Sequence, residues 1–328
     1  MASRYCIQQF KLRLITVLYI GLVLFIASCD SEPNKSVINL GDYVDDKELH
    51  QKELEQEQDK NVLYFGFDLR ASPQEDSRQY QPFLRYLEKS TGYKFELRFT
   101  PNNSSIIDEL GTGRVHFAAL GAVSYIQGNE KYGIKNLVRG LNLQDKATYQ
   151  SMIVTTINSE IKSVAALRNK RFVFGSVDST QGHLIPRILL RENGLNLSDL
   201  KSYKYTGSHQ NCVEAVVSLK ADACGMQDTM AKEMEKRGLV KIIHASRYYP
   251  SSGIAINQDL ASEIATKVKK ALTDFDPKGS DKASLYNWSK TEMPNGFIEA
   301  KNEDYFELRK WLINLKMLEA SSKSDKTK

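Results

Sequence analysis

The 328-residue sequence is poor in the side chains on which most enzymes and metal sites depend. It has four cysteines and five histidines, and their spacing matches no zinc or redox motif. The nucleophile elbow of serine hydrolases, the zinc-protease motif and the phosphate-binding P-loop are also missing. These absences argue against catalysis, so we expect a protein that is not an enzyme and uses no cofactor and no metal.

The sequence also lacks an apolar run long enough to span a bilayer stably. Its longest such run, Leu14 to Ala27, follows three basic residues, and together they predict an export signal over residues 1–29. The run ends in Ile26-Ala27-Ser28-Cys29, which resembles a lipoprotein cleavage box. We therefore expect Cys29 to carry a lipid anchor; an ordinary signal with a chance cysteine is the alternative.

The predicted location follows from this signal. The protein is expected in the periplasm or at the cell surface, held to the membrane by the lipid on Cys29. In a Gram-negative host, Asp30 directly after the cysteine resembles the signal for retention at the outer face of the inner membrane.

The rest of the chain consists of an acidic segment followed by a basic one. Residues 30–60 contain 10 acidic and 4 basic residues and no sustained apolar periodicity, which is typical of a flexible tether. Because the whole chain carries +5 and residues 1–29 carry +3, residues 61–328 carry +8. A basic body favours an anionic partner. The basic residues are scattered and form no DNA-binding motif, so nucleic acid is not the expected partner.

Short apolar strands alternate with amphipathic helices from Val62 onward, which predicts an α/β fold. Helix is expected from Tyr80 to Thr91. The apolar runs near 152–157 and 252–257 predict two crossings between lobes joined by a hinge. The predicted organisation is lobe 1 over 61–151 with a return segment over 252–320 that includes C-terminal helices, lobe 2 over 152–251, and a disordered tail over 321–328.

The most informative segment is the strand and turn over residues 171–187. A strand ends in Ser176-Val177-Asp178-Ser179-Thr180, and a helix is expected to begin within a few residues, near Pro186. Free amides at a helix start attract anions, and Ser179 and Thr180 add hydroxyl donors. The alternative is that one of these two residues only caps the helix.

A second helix start lies at residues 206–211, where Thr206 or Ser208 is the predicted cap. His209 then falls in the first turn and is a candidate ligand contact, with a surface or packing role as the alternative. Tyr80, at a predicted helix start, and Tyr125, in a predicted loop after a strand, are candidates to close over a ligand.

Cys212 and Cys224 are the two cysteines outside the predicted signal and anchor. They are interpreted as two small buried residues, with a disulfide in an oxidising compartment as the alternative.

Five segments in order resemble the phosphate/phosphite/phosphonate-binding proteins of ABC transporters, over about Val62 to Phe297. They are Tyr80-Gln81-Pro82-Phe83-Leu84-Arg85-Tyr86-Leu87-Glu88, Gly121-Ala122-Val123-Ser124-Tyr125, Ser179-Thr180-Gln181-Gly182, Gly207-Ser208-His209-Gln210-Asn211 and Lys220-Ala221-Asp222-Ala223.

The resemblance implies a two-lobe fold of the type II periplasmic-binding class, in which a hinge closes the lobes over a small phosphorus oxyanion. It implies that Ser179, Thr180 and His209 hold the anion and that Tyr80 and Tyr125 contribute from the other lobe. Gln181 departs from the family pattern, since it stands where the family usually has a third serine.

A second departure lies at residues 248–252, where some phosphonate binders place a carboxylate for a ligand amine. The serines here supply no such charge, which argues against an aminoalkyl phosphonate unless Asp228 takes that role. The resemblance implies a monomer that delivers its ligand to an ABC permease. The alternative is an extracytoplasmic sensor that presents its bound form to a separate receptor or histidine kinase.

Overall fold

The computed structural model describes residues 62–68, 72–101 and 104–318. The predicted signal, the lipidation site at Cys29, the tether over 30–60 and the tail over 321–328 all lie outside the described residues. Among the described residues, no helix is both long enough and apolar enough to cross a membrane.

The described strands fall into two main sheets and one short ribbon. In chain order they are β1 (Val62–Phe67), β2 (Lys94–Leu97), β3 (Phe117–Leu120), β4 (Lys135–Gly140), β5 (Thr148–Tyr149), β6 (Ser151–Thr156), β7 (Arg171–Phe174), β8 (Ser202–Tyr205), β9 (Ala223–Gln227), β10 (Val240–Ala245), β11 (Tyr249–Pro250), β12 (Gly253–Ile256) and β13 (Phe297–Glu299).

The first sheet has the order β13-β4-β12-β3-β1-β2 and forms lobe 1. Its strand β1 runs parallel to β2 and β3, whereas β12 returns from later in the chain and pairs antiparallel with β3 and β4. The second sheet has the order β10-β6-β9-β7-β8 and forms lobe 2. The fold is thus α/β with two sheet-containing lobes, as the strand and helix pattern predicted.

The ribbon of β5 and β11 lies where the chain passes between the two sheets. Tyr149 pairs with Tyr249 and Thr148 with Pro250, antiparallel. Strand β5 leads directly into β6 of the second sheet, and β11 leads into β12 of the first. Both crossings of the chain are therefore held side by side by this ribbon.

The described α-helices cover the edges and faces of these sheets. They are α1 (Pro73–Thr91), α2 (Ile106–Gly111), α3 (Ala122–Tyr132), α4 (Ile185–Glu192), α5 (His209–Val217), α6 (Asp228–Lys236), α7 (Ser262–Asp274) and α8 (Phe306–Asn314).

The start predicted for the first helix is wrong. Helix α1 begins at Pro73, because the Ser72 side chain accepts a hydrogen bond from the Glu75 amide and Pro73 suits the first helical position. It continues through Pro82 and ends at Gly92, whose φ of 74° is the left-handed conformation that glycine adopts freely. Tyr80 consequently lies in the middle of the helix and not at its start.

Cys212 and Cys224 form a disulfide, so the interpretation of two unpaired buried cysteines is wrong. Both residues are fully buried, and their Cα atoms are 6.0 Å apart, within the usual range for a disulfide. The bond joins α5 to β9. Sequence spacing does not reveal this pairing, because the two residues meet only once the helix packs on the strand.

Candidate functional site

The hydroxyl-rich segment after β7 forms a compact turn, residues 176–182, which we call the binding turn. Ser179 accepts a hydrogen bond from the Gly182 amide at 2.8 Å, and a short π-helical turn over Thr180–Leu184 then leads into α4. Ser179 therefore caps this turn. Thr180 and Gln181 are buried within the turn.

His209 is the first residue of α5, and Ser208 is its N-cap, accepting from the Asn211 amide at 3.1 Å. The imidazole is buried and lies against the binding turn. A Cβ at Gly182 would come within 2.9 Å of His209 Cε1, so the glycine makes room for the ring. Two segments about thirty residues apart in sequence thus meet in space.

These residues line a small compartment between the two lobes with a volume of about 20 Å³, room for roughly one oxygen-sized group. Lobe 2 contributes hydroxyl, carboxyl and imidazole groups, and lobe 1 and the hinge ribbon face them. The lining residues are Asp68, Gly121, Tyr149, Ser176, Asp178, Ser179, Thr180, Gln181, Gly207, Ser208, His209 and Ser252.

Lobe 1 reaches this compartment through the start of α3. Gly121 is the N-cap and has no side chain with which to cap the helix. The Val123 amide instead donates to Thr180 Oγ1 of lobe 2 at 2.9 Å, and the Gly121 amide donates to Asp68 Oδ2 at 2.8 Å. A hydroxyl and a carboxylate therefore occupy the positive end of this helix.

A second and much larger cavity of about 450 Å³ adjoins the small compartment, and Tyr149 and Gln181 line both. Residues of both lobes line it, among them five carboxylates and two lysines: Glu75, Asp76, Asp228, Glu233, Glu292, Lys232 and Lys290. Tyr80 also lines this cavity, stacked on Phe67 with ring centroids 5.0 Å apart. Among the described residues that line the cavity, acidic side chains outnumber basic ones, although the body of the chain is basic.

Gln181, which departs from the family pattern, points its amide toward the larger cavity. Its Nε2 donates to the Gln150 carbonyl at 2.8 Å and to Asp228 Oδ1 at 3.2 Å. An amide group has two N–H donors, so both are already used. Gln181 therefore does not supply the extra anion donor that a serine would offer at this position.

Asp228 is buried at the start of α6, and burial raises the pKa of its carboxyl above the ordinary range. Lys232, one turn further along the helix, lies 4.0 Å away and opposes that shift. The carboxyl is thus held at the wall of the larger cavity at a desolvation cost.

The serine-rich segment near 252 does have a carboxylate beside it in space. Ser252 donates a hydrogen bond to Glu292, which comes from 40 residues later in the chain and is itself buried. The serines themselves carry no charge, as the sequence indicated, but Glu292 brings a carboxylate to Ser252 from a segment that is distant along the chain.

Tyr125 lies apart from both cavities. It is buried within α3, its hydroxyl donates to Asn302 Oδ1 at 3.1 Å, and its ring packs on Tyr305 with centroids 4.9 Å apart. The predicted loop after β3 is in fact the first turn of α3, and this turn directs Tyr125 into the core against α8.

Sequence reasoning did not single out four residues that line these cavities: Asp68, Asp76, Tyr149 and Glu292. Asp68 follows β1 directly, and ligands of open α/β sheets bind at such carboxyl ends, so that rule offered a signal for it. Tyr149 and Glu292 depend on the hinge ribbon and on a distant return segment, which no local pattern indicates.

Two α/β lobes, a hinge ribbon and a polar cleft at the carboxyl ends of strands define a solute-binding protein of the periplasmic class. A family profile described as ABC transporter, phosphonate, periplasmic substrate-binding protein matches residues 65–305. The chain belongs to this family. It is accordingly an extracytoplasmic substrate-binding component of an ABC transporter, and its family is one of transport proteins and not of enzymes.

Two curated relatives are similar over most of the chain. The phosphonates-binding periplasmic protein of Escherichia coli is 24% identical over 239 residues, covering 70% of this chain and 70% of the relative. The phosphate-import protein PhnD of Mycolicibacterium smegmatis is 26% identical over 222 residues, covering 61% and 69% respectively.

Solved structures share the fold at low sequence identity. PhnD1 of Prochlorococcus marinus, in complex with methylphosphonate, matches with a TM-score of 0.70 and 18% identity, over 79% of this chain and 99% of that one. A binding protein component of an ABC phosphonate transporter from Pseudomonas aeruginosa matches with a TM-score of 0.69 and 18% identity, over 78% and 86%.

Proposed function

We propose that this protein captures a small phosphorus oxyanion, of the phosphonate or phosphate class, between its two lobes for delivery to an ABC permease. The observation that carries the proposal is the convergence of Ser179, Thr180 and His209 on one compartment in the cleft. Hydroxyl and imidazole N–H donors are the groups that hold a tetrahedral oxyanion, and the net charge of +8 on residues 61–328 favours its approach.

The two cavities hold two different parts of the ligand. An oxygen of the phosphorus group occupies the small compartment, at the start of α5 and beside the binding turn, where the helix dipole favours negative charge. The remainder of the ligand extends past Tyr149 and Gln181 into the larger cavity. With about 450 Å³, that cavity holds far more than inorganic phosphate requires.

Asp228 on the wall of the larger cavity favours a substituent that carries positive charge. Its carboxyl is buried and burial raises its pKa, so a cationic group beside it would favour the charged carboxylate. We therefore propose an amino-substituted phosphonate over a simple alkyl one. Asp228 takes the role that the serines near 252 do not fill.

The relatives support this ligand class by what they bind. One relative is named for phosphonates and another for phosphate import, and a structural neighbour holds methylphosphonate. The residue-level assignments rest on the geometry of this chain: Ser179, Thr180 and His209 at the anion, and Tyr80, Gln181 and Asp228 around the substituent.

A thermal-shift screen tests the ligand class. Methylphosphonate, 2-aminoethylphosphonate, phosphite, phosphate and sulfate are each added in excess. The proposal expects at least one phosphorus anion to raise the melting temperature and sulfate to do so least. No shift with any of the four phosphorus compounds refutes the ligand class, while the family membership stands.

The proposal also covers the arrangement along the chain. A signal over 1–29, a lipid on Cys29 and a tether over 30–60 would hold the lobes near the permease, with lobe 2 over 152–251 moving about the hinge ribbon. Extracytoplasmic location is a property of the family and supports the signal. A Cys29→Ala protein should be released from the membrane fraction, and one that stays processed and membrane-bound contradicts the anchor.

A further inference from the structure

The binding turn of lobe 2 is hydrogen-bonded to α3 of lobe 1. The Val123 amide, at the start of α3, donates to Thr180 Oγ1 at 2.9 Å. The first turn of α3 therefore meets the binding turn across the cleft.

Helix α3 depends on lobe 2 for its cap. Its N-cap, Gly121, makes no side-chain cap hydrogen bond, and the first amides of a helix have no partners inside the helix. The absence of a side chain at Gly121 also lets Thr180 approach, since a Cβ there would lie 3.2 Å from Thr180 Oγ1. The Thr180 oxygen is thus the cap that α3 lacks, supplied from the opposite lobe.

The Thr180 hydroxyl has the capacity for a second contact at the same time. A threonine hydroxyl accepts through its lone pairs and donates one proton. The Val123 amide uses the acceptor side, and within the part of the chain that the structure describes no protein group accepts the Thr180 proton. Thr180 lines the small compartment, so this proton is available to an oxygen bound there.

We propose that Thr180 couples ligand capture to lobe closure, because its oxygen caps α3 across the cleft while its proton binds an oxygen of the ligand. Closure of the lobes orients the Thr180 hydroxyl toward the ligand, and a bound ligand orients it toward the Val123 amide. Binding and closure therefore favour each other.

The exchange rate of the Val123 amide reports this contact directly. It is measured by NMR on the full chain labelled with ¹⁵N-valine, with and without saturating methylphosphonate. The expected result for the wild type is slowing of exchange by at least about tenfold on binding, since closure protects the amide. Thr180→Ser keeps the hydroxyl and should keep this slowing.

Two variants separate coupling from ligand contact alone. Thr180→Val removes the hydroxyl that accepts from the Val123 amide. It should abolish the slowing of Val123 exchange even when methylphosphonate saturates the variant. His209→Ala removes a ligand contact and leaves both partners of the Val123–Thr180 bond in place, so its saturated form should keep the slowing. If Val123 in Thr180→Val is protected by saturating methylphosphonate as in the wild type, the coupling is overturned.

The measurements with methylphosphonate rest on the proposed function, whereas the exchange rate of Val123 without ligand does not. If methylphosphonate fails to bind the wild type, the proposed function is refuted for that ligand. The cross-lobe bond is still decided without ligand, because Val123 must then exchange faster in Thr180→Val than in Thr180→Ser. Equal rates in the two ligand-free variants overturn the proposal.

Discussion

Gly182 and the imidazole of His209 are in direct contact, so closely that a Cβ at position 182 would lie 2.9 Å from Cε1 of the ring. The two segments that carry the candidate anion contacts therefore fit together only with glycine at this position. Any side chain at 182 must displace the ring or the binding turn.

This contact predicts that Gly182→Ala weakens ligand binding. Moving the imidazole removes a charge-assisted hydrogen bond of roughly 1.5–3 kcal/mol, which is about ten- to a hundredfold in affinity. Calorimetric titration measures the loss. Gly175→Ala is the matched control, because a Cβ there meets Gly182 Cα at 3.4 Å and His209 Nδ1 at 3.7 Å, which are ordinary contacts that displace neither group. Equal losses in both variants contradict the role assigned to His209.

Tyr125 is predicted to contribute to stability and not to binding. Its hydroxyl bonds to Asn302 in the core, so Tyr125→Phe should lower the free energy of unfolding by about 0.5–1.5 kcal/mol. Affinity for the ligand should stay within about twofold. Denaturant unfolding measures the stability of Tyr125→Phe, and titration measures its affinity. A large loss of affinity at unchanged stability would show that Tyr125 contributes to binding.

The affinity for an amino-substituted phosphonate should depend on pH through Asp228. Its pKa is raised by burial, so its carboxylate forms only as the pH rises through that raised value. A cationic substituent prefers the carboxylate, and 2-aminoethylphosphonate should therefore bind more tightly as the pH rises above the ordinary aspartate range of about 4.

Methylphosphonate serves as the control ligand for this dependence. It has no cation to pair with Asp228, so its affinity should rise less over the same range. In Asp228→Asn the two ligands should show the same pH profile. A pH dependence of 2-aminoethylphosphonate binding that survives in Asp228→Asn assigns the effect to another group.

The disulfide between Cys212 and Cys224 should stabilise the fold measurably. Replacing both with serine is expected to lower the free energy of unfolding by about 2–3 kcal/mol, the usual effect of closing a short loop. The two residues are 12 apart in sequence. Reductant should destabilise the wild type and leave the double variant unchanged, and an equal response of both proteins contradicts the bond.

The sequence predicted those parts of the site that depend on local pattern. The binding turn and His209 both follow strands and precede helices, so strand ends and cap residues indicated them. The loop predicted around Tyr125 was wrong because helix α3 follows β3 directly, and the helical turn directs the Tyr125 side chain toward Asn302 and Tyr305. Glu292 could not be foreseen, because it reaches Ser252 only through the return of the chain to lobe 1.

A crystal structure with bound methylphosphonate or 2-aminoethylphosphonate tests the proposed anion site most directly. We expect oxygens of the phosphorus group within hydrogen-bond distance of Thr180 Oγ1 and the His209 imidazole, with the substituent toward Asp228 and Glu292. A phosphonate held elsewhere, or one whose phosphorus group lies among those carboxylates, contradicts it.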